Sequence, residues 1–126
     1  MTNEAKTVAL AYIEGCGRKD WDAVTAALHE HVQFSGPGNA VTGAAPYLAV
    51  LQRIAPVWVR SEVKSVLSGD SEVCVLYDFV TDTPAGAVPI VEWLGVEEGK
   101  IKSVKLLFDR VAFKPASDEL ARRARG

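Results

Sequence analysis

At Pro56 the pattern of apolar residues changes period, and that change leaves the chain few architectures. Before it, Ala5, Val8, Ala9, Tyr12, Ile13 and Cys16 recur at helical spacing, while Glu4, Thr7, Glu14 and Arg18 fall largely elsewhere. After it, Val57, Val59 and Val63 alternate with Arg60, Glu62 and Lys64, the two-residue period of a strand with one wet face. Helices first and strands second is the order of an α+β domain rather than of alternating α/β units. At 126 residues the chain is expected to be one domain over 1–126, with a core over about 3–113 and a tail over 114–126.

The breaks between elements are also written in the sequence. The first helix is expected from about Asn3 to Cys16, ended by Gly15 and Gly17. Asp20 can cap a second, with Trp21, Val24, Ala27 and Leu28 as its apolar face. His31 to Ser35 reads as a short strand, broken by Gly36-Pro37-Gly38-Asn39. A third helix follows from about Ala44 to Ala55, turning Tyr47, Leu48, Leu51 and Ile54 inward. Four long strands then form a meander over Val57–Leu67, Ser71–Thr81, Val88–Val96 and Lys100–Phe113. The tail from Pro115 reads as a short helix begun at Ser117 or as a frayed end, and no function is assigned to it.

Composition removes several classes of partner. Fourteen basic against sixteen acidic residues, a net charge of −2, give no electrostatic footprint for nucleic acid. No apolar run is long enough to cross a bilayer, and Met1 to Lys6 lacks the pattern of a signal peptide. Cys16 and Cys74 have no metal-type spacing and read as free, buried thiols of a reducing compartment, so a cytoplasmic location is expected. His29 and His31, at a predicted helix end, read as solvent-facing or capping. No metal and no cofactor are expected.

Two acids stand where acids are costly. Asp78 interrupts Val73-Cys74-Val75-Leu76-Tyr77-Asp78-Phe79-Val80, and Glu92 interrupts Pro89-Ile90-Val91-Glu92-Trp93-Leu94. A buried charge without a partner costs several kcal/mol, so each needs a pairing, a proton or a wet cavity. If Pro84-Ala85-Gly86 and Glu97-Glu98-Gly99 both close as three-residue turns, Thr83 pairs with Ala87 and Val96 with Lys100. Asp78 then lies opposite Glu92, sharing a face with Cys74, Leu76, Ile90, Leu94, Val104, Leu106 and Phe108. Two like charges so placed would share one proton, with one carboxyl held neutral, the arrangement used in general acid/base chemistry. A two-residue second turn would instead set Glu92 against Lys105 as an ion pair, and a bulge at Pro89 would shift the first register by one.

The helices, the Gly-Arg-Lys-Asp-Trp-Asp corner after the first of them, the Gly-Pro-Gly break and the meander with Glu-Glu-Gly-Lys-Ile in its last turn resemble the nuclear-transport-factor-2-like superfamily over about residues 3–113. That group includes the SnoaL-like polyketide cyclases, ketosteroid isomerases and limonene epoxide hydrolases. The resemblance implies a cone-shaped pocket: three N-terminal helices stopper a strongly curved antiparallel sheet, often in a homodimer through the sheet's outer face. Val75, Tyr77, Phe79, Val91, Trp93 and Leu107 would supply that outer face. By the same resemblance Tyr12 matches the donor tyrosine of the isomerases, Glu92 their neutral acid and Phe108 an aromatic wall. Their base has no counterpart in Val32-Gln33-Phe34-Ser35-Gly36, where Phe34 is a candidate pocket residue. Of the epoxide hydrolase acids Asp78 has a match, while Leu76 and Leu106 stand where polar groups are needed.

The expected function is acid/base isomerisation or cyclisation of a small apolar carbonyl compound. Asp78 would be the base, with neutral Glu92 and Tyr12 polarising the oxygen. The alternatives are a binding module for a hydrophobic ligand and a dimerisation domain with a filled core. A cavity of some 300 Å³ or more would exclude the last.

Overall fold

The computed structural model describes residues 4–126. Helix α1 spans Glu4–Arg18 and runs through both glycines that were expected to end it; the expected start at Asn3 lies outside the described residues. The glycines serve packing instead. A Cβ on Gly17 would stand 2.8 Å from the Ser61 backbone nitrogen, so only glycine lets the helix lie this close to the strand beneath it. The chain turns at Lys19 (φ 60°), and the Asp20 carboxylate accepts from the Ala23 N–H at 3.2 Å to open α2, Trp21–Ala27.

Strand β1, Leu28–Gly36, follows without a loop and carries both histidines, which therefore stand on a strand rather than at a helix end. Pro37-Gly38 then forms a tight turn, with Gly38 at φ 78°, into a strand the sequence reading lacked, β2 (Asn39–Thr42). Helix α3 spans Ala44–Ile54, a 3₁₀ turn covers Ala55–Val57, and β3 (Trp58–Ser68), β4 (Glu72–Thr81), β5 (Ala87–Glu97) and β6 (Lys100–Phe108) follow. The six strands form one open sheet in the order β2-β1-β6-β5-β4-β3. It is mixed rather than wholly antiparallel, because β1 pairs parallel to β6.

Two turns decide which side chains face the helices. Between β4 and β5, the Thr81 N–H donates to the Gly86 carbonyl at 2.9 Å, and the hydroxyls of Thr81 and Thr83 bond to each other across the loop. The hairpin is thus closed by Thr81, not Thr83, and the register moves by an odd number of residues. Asp78 faces Pro89, and Glu92 faces Val75. An odd shift turns a strand over. Val73, Val75, Tyr77 and Phe79 point inward and are buried, whereas Cys74, Leu76 and Asp78 point outward. The expected outer face is corrected accordingly: of its six residues only Val91, Trp93 and Leu107 are on it.

Between β5 and β6 the turn is the two-residue one, Glu98-Gly99, both at positive φ, with Glu97 opposite Lys100. A bulge then places Gly95 against Ser103, so Glu92 stands opposite Leu106, and Lys105 faces Trp93. The cross-strand ion pair with Lys105 does not form. The turn and the bulge together shift the register by an even number. Ile90, Glu92, Leu94, Val104, Leu106 and Phe108 therefore share the inner face as the sequence predicts.

Strand β6 ends at Phe108, five residues earlier than expected. Asp109 caps α4, Arg110–Ala124, accepting from the N–H groups of Val111 and Ala112 at 2.8 and 3.3 Å. The tail is therefore neither frayed nor a helix begun at Ser117. Phe113, Ala116 and Leu120 pack against the core, and Arg123 donates to the Pro56 carbonyl and to Asp82 at 2.7 and 2.9 Å. Among the described residues no helix is long and apolar enough to cross a membrane.

Candidate functional site

Glu92 is 2% exposed in the middle of the apolar inner face. An isolated carboxylate there would cost several kcal/mol, so the chain must either protonate it or surround it with donors. It does some of each. The Tyr77 hydroxyl donates to Oε2 at 2.5 Å, and the Tyr12 hydroxyl donates to Oε1 at 3.1 Å. The Tyr47 hydroxyl hydrogen-bonds to that of Tyr12. These are the chain's three tyrosines, brought together from α1, α3 and β4. Burial pushes the Glu92 carboxyl up to about 7, against the opposing pull of the Tyr77 and then the Tyr12 hydrogen bond. Its protonated and ionised forms are thereby both brought within reach near neutral pH. Burial, and next the Glu92 charge, hold all three phenols well above their ordinary range, so they remain O–H donors. Cys16, on the same face of α1, is likewise pushed up by burial and then by Glu92, and stays a thiol.

Glu92 and the three phenols border a cavity of about 160 Å³. Its wall takes in all four phenylalanines of the chain and Trp58. Phe34 stacks on Tyr47 with ring centroids 4.7 Å apart, Trp58 lies against Phe79 at 4.4 Å, and Phe113 of α4 meets Phe108 edge-on at 5.3 Å. The outcome is an apolar, aromatic chamber with one carboxyl in its wall. The charge of such a group interacts strongly with whatever enters, because an apolar wall screens it weakly.

Residues 9–104 match the family described as SnoaL-like domain. The chain belongs to this family. No curated protein matches it in sequence. Among solved structures, the SnoaL-like chain is similar to a Kribbella flavida protein at 26% identity, with 99% of this chain and 100% of that one covered and a TM-score of 0.84. A second Kribbella flavida protein, described as a candidate ketosteroid isomerase, aligns at 22% identity over 86% of this chain and 79% of its own, TM-score 0.76. A candidate polyketide cyclase from Xanthomonas campestris pv. campestris aligns at 21% over 91% and 99%, TM-score 0.72. The fold is the nuclear-transport-factor-2-like, cystatin-like one that the resemblance implies.

Within the SnoaL-like fold the expected site residues separate into three groups. Tyr12, Phe34, Ile90, Glu92, Leu106 and Phe108 border the cavity. Leu94 and Val104 lie buried on the same face of the sheet but off the cavity wall. Asp78, Cys74 and Leu76 are on the other side of the sheet, so the carboxylate pair does not exist. Asp78 stands across from Glu62, with its Oδ2 3.8 Å from Lys64 Nζ. Tyr47, Tyr77, Trp58, Phe79 and Phe113 belong to the wall without having been assigned to it. Tyr47 carried a signal, since a tyrosine on an apolar helix face needs a partner for its hydroxyl. Tyr77 carried one only through the register, which the Thr81 and Thr83 hydroxyls shift.

Proposed function

We propose that this SnoaL-like chain binds a small, largely apolar carbonyl compound and moves a proton on it, with Glu92 as both acid and base. The observation that carries the reading is one fully buried carboxyl, poised near neutrality, in the wall of an aromatic cavity. Ionised, it can take a proton from a carbon next to the carbonyl. Protonated, it can return that proton to oxygen or to another carbon, which is an isomerisation or, with an internal electrophile, a cyclisation. Asp78 has no part in this. Tyr12 differs from the sequence expectation in role, and Tyr77, expected on the outer face, joins it: their O–H groups are directed to Glu92, so they position and stabilise the carboxylate rather than polarise the substrate.

The cavity limits the substrate. At about 160 Å³ it is near the size of an engineered apolar cavity that holds benzene, so a single ring or a short branched chain fits and a fused steroid does not. The volume is below the 300 Å³ that separates a ligand chamber from a filled core, and the ligand reading therefore rests on Glu92 rather than on size. The reading includes a homodimer through the outer face, where Trp93 and Leu107 are 44% and 49% exposed.

One observation favours a second reading, a binding module without chemistry: Glu92 is the single carboxyl of the cavity wall, and both its oxygens already accept a phenol. The test is exchange of the α-hydrogens of small ketones and enones into deuterated water, followed by NMR. Enzyme-accelerated exchange that Glu92→Gln removes supports proton transfer. Tight binding with exchange no faster than buffer assigns the cavity to binding.

A further inference from the structure

We propose that Arg110 is the specificity-determining residue at the mouth of the cavity, selecting ligands that carry an anionic group such as a carboxylate beyond the apolar part that enters. The inference rests on the reading of the cavity as a ligand site and names the class of ligand it takes.

The cavity is lipped by the β1–β2 turn and by the start of α4. Gly36, Pro37 and Asn39 of that turn border it, as do Phe108 at the end of β6 and Phe113 of α4. A second, shallower hollow of about 490 Å³ lies against the first, shares Pro37, Phe108 and Phe113 with it, and is lined further by Arg110, Lys114 and Ser117. The guanidinium of Arg110 lies over Gly38 at the tip of the lip: a Cβ on that glycine would be 3.2 Å from one of its nitrogens.

Among the described residues no carboxylate pairs with Arg110. The nearest acid in sequence, Asp109, has its Oδ1 occupied by the N–H groups of Val111 and Ala112, the first capped donors of the helix. Lys114, the other cation of the hollow, is paired with Asp118 at 2.9 Å. Among the described residues the lip therefore carries a bidentate-capable cation that no ion pair holds, above an aromatic chamber.

Depth fixes the length of the ligand. Glu92 stands opposite Leu106, and the strand runs from there through Phe108 toward Arg110. Four residue steps are at most about 13 Å. A one-ring body with a short chain falls within that bound, its reactive end toward Glu92 and its anion toward Arg110. Such a ligand uses the carboxyl at one end and the guanidinium at the other, which also fixes its direction of entry.

The experiment compares 3-phenylpropanoate with its uncharged isostere 3-phenylpropanamide by NMR titration of the wild type, Arg110→Gln and Lys114→Gln, at low and high salt. Arg110 is exposed, so its replacement leaves the core intact. The expected result is about fivefold tighter binding of the anion than of the amide by the wild type, narrowing as salt rises. Arg110→Gln should erase the preference with amide affinity unchanged, and Lys114→Gln should keep it. Equal affinity for both probes in the wild type, or a preference that survives Arg110→Gln, overturns the assignment while leaving the cavity as a ligand site. If neither probe perturbs the Tyr12 or Tyr77 resonances at any concentration, the ligand reading of the cavity falls and this inference falls with it.

Discussion

Glu92 and Asp78 stand on adjacent strands, each flanked by apolar residues, and they meet opposite surroundings. Glu92 is sealed among three phenols and an aromatic wall, and burial moves its titration to about 7. The Asp78 side chain keeps 26% of its surface on the outer face, across the strand from Glu62 and within reach of Lys64. The difference comes from the side of the sheet and not from local sequence. A carboxyl on the outer face, with a lysine in reach and water in front of it, meets no desolvation of that kind. One that is buried, with donors too few to offset the lost solvation, has gained the capacity to exchange a proton at neutral pH.

The largest effect expected of this contrast is on chemistry. Glu92→Gln keeps the shape of the side chain and should slow α-hydrogen exchange by 100-fold or more, the usual contribution of a positioned acid or base being roughly 10² to 10⁴. Asp78→Asn should leave the rate within about twofold. A comparable loss in both variants would remove the distinction between the two faces.

The next effect is on stability. Glu92 binds its proton more tightly in the folded state, where it titrates at about 7, than at its ordinary value of 4.5. Folding then takes up a proton between those values, so this stabilising contribution is complete below about pH 4.5 and is lost as pH rises through 7. A shift of that size corresponds to about 3 kcal/mol. Urea unfolding at several pH values should show the loss in the wild type and in Asp78→Asn, and a flatter profile in Glu92→Gln. A wild-type profile as flat as that of Glu92→Gln would mean that folding leaves the Glu92 titration where it is in the unfolded chain.

Most of the fold is legible in the sequence because its causes are local. The change of period at Pro56 separates helices from strands, and Asp20 caps α2 through its own backbone neighbours, whereas the Asp109 cap of α4 lies inside a stretch that reads as strand to Phe113. The site is half legible. Tyr12, Glu92, Ile90, Leu106 and Phe108 reach one chamber because the Glu98-Gly99 turn and the bulge at Gly95 shift β6 by an even count and leave its facing intact. Strand β4 is misread because Thr81 and Thr83 bond to each other and to Gly86, closing a different turn from the one Pro84-Ala85-Gly86 suggests. That competition between side-chain and backbone hydrogen bonds reverses the facing of every residue from Cys74 to Phe79. Strand β2 folds back on β1 through Pro37-Gly38, a turn that reads in the sequence only as a break, and the parallel β1–β6 pairing joins chain segments far apart, which no local period reports.

A smaller effect separates the two phenols that hold Glu92. Tyr77 donates at 2.5 Å and Tyr12 at 3.1 Å, and both bonds lower the pKa of the carboxyl. Removing a donor to the charged form must therefore raise it. Tyr77→Phe should move the Glu92 titration upward from about 7 by roughly one unit, and Tyr12→Phe by less. Carboxyl-selective NMR titration reads both. A downward move in either variant would show that the hydroxyl serves the protonated carboxyl as an acceptor instead.

The smallest effect is expected on the outer face. Asp78 and Lys64 approach to 3.8 Å, but the lysine side chain is 57% exposed and also lies 3.5 Å from Glu62, which Arg60 holds at 2.6 Å. Lys64 thus has another acid within reach, and both acids are open to water. Pairs of this kind contribute about 0 to 1 kcal/mol and are screened by salt. Asp78→Asn should accordingly change unfolding free energy by less than about 0.5 kcal/mol, and high salt should erase even that. The measurement is informative because of its smallness. If Asp78→Asn destabilised the fold as strongly as a buried-charge defect does, then the outer face would be covered in solution, and a second copy of the chain seated over Trp93 and Leu107 would be the first arrangement to look for, by sedimentation of both proteins.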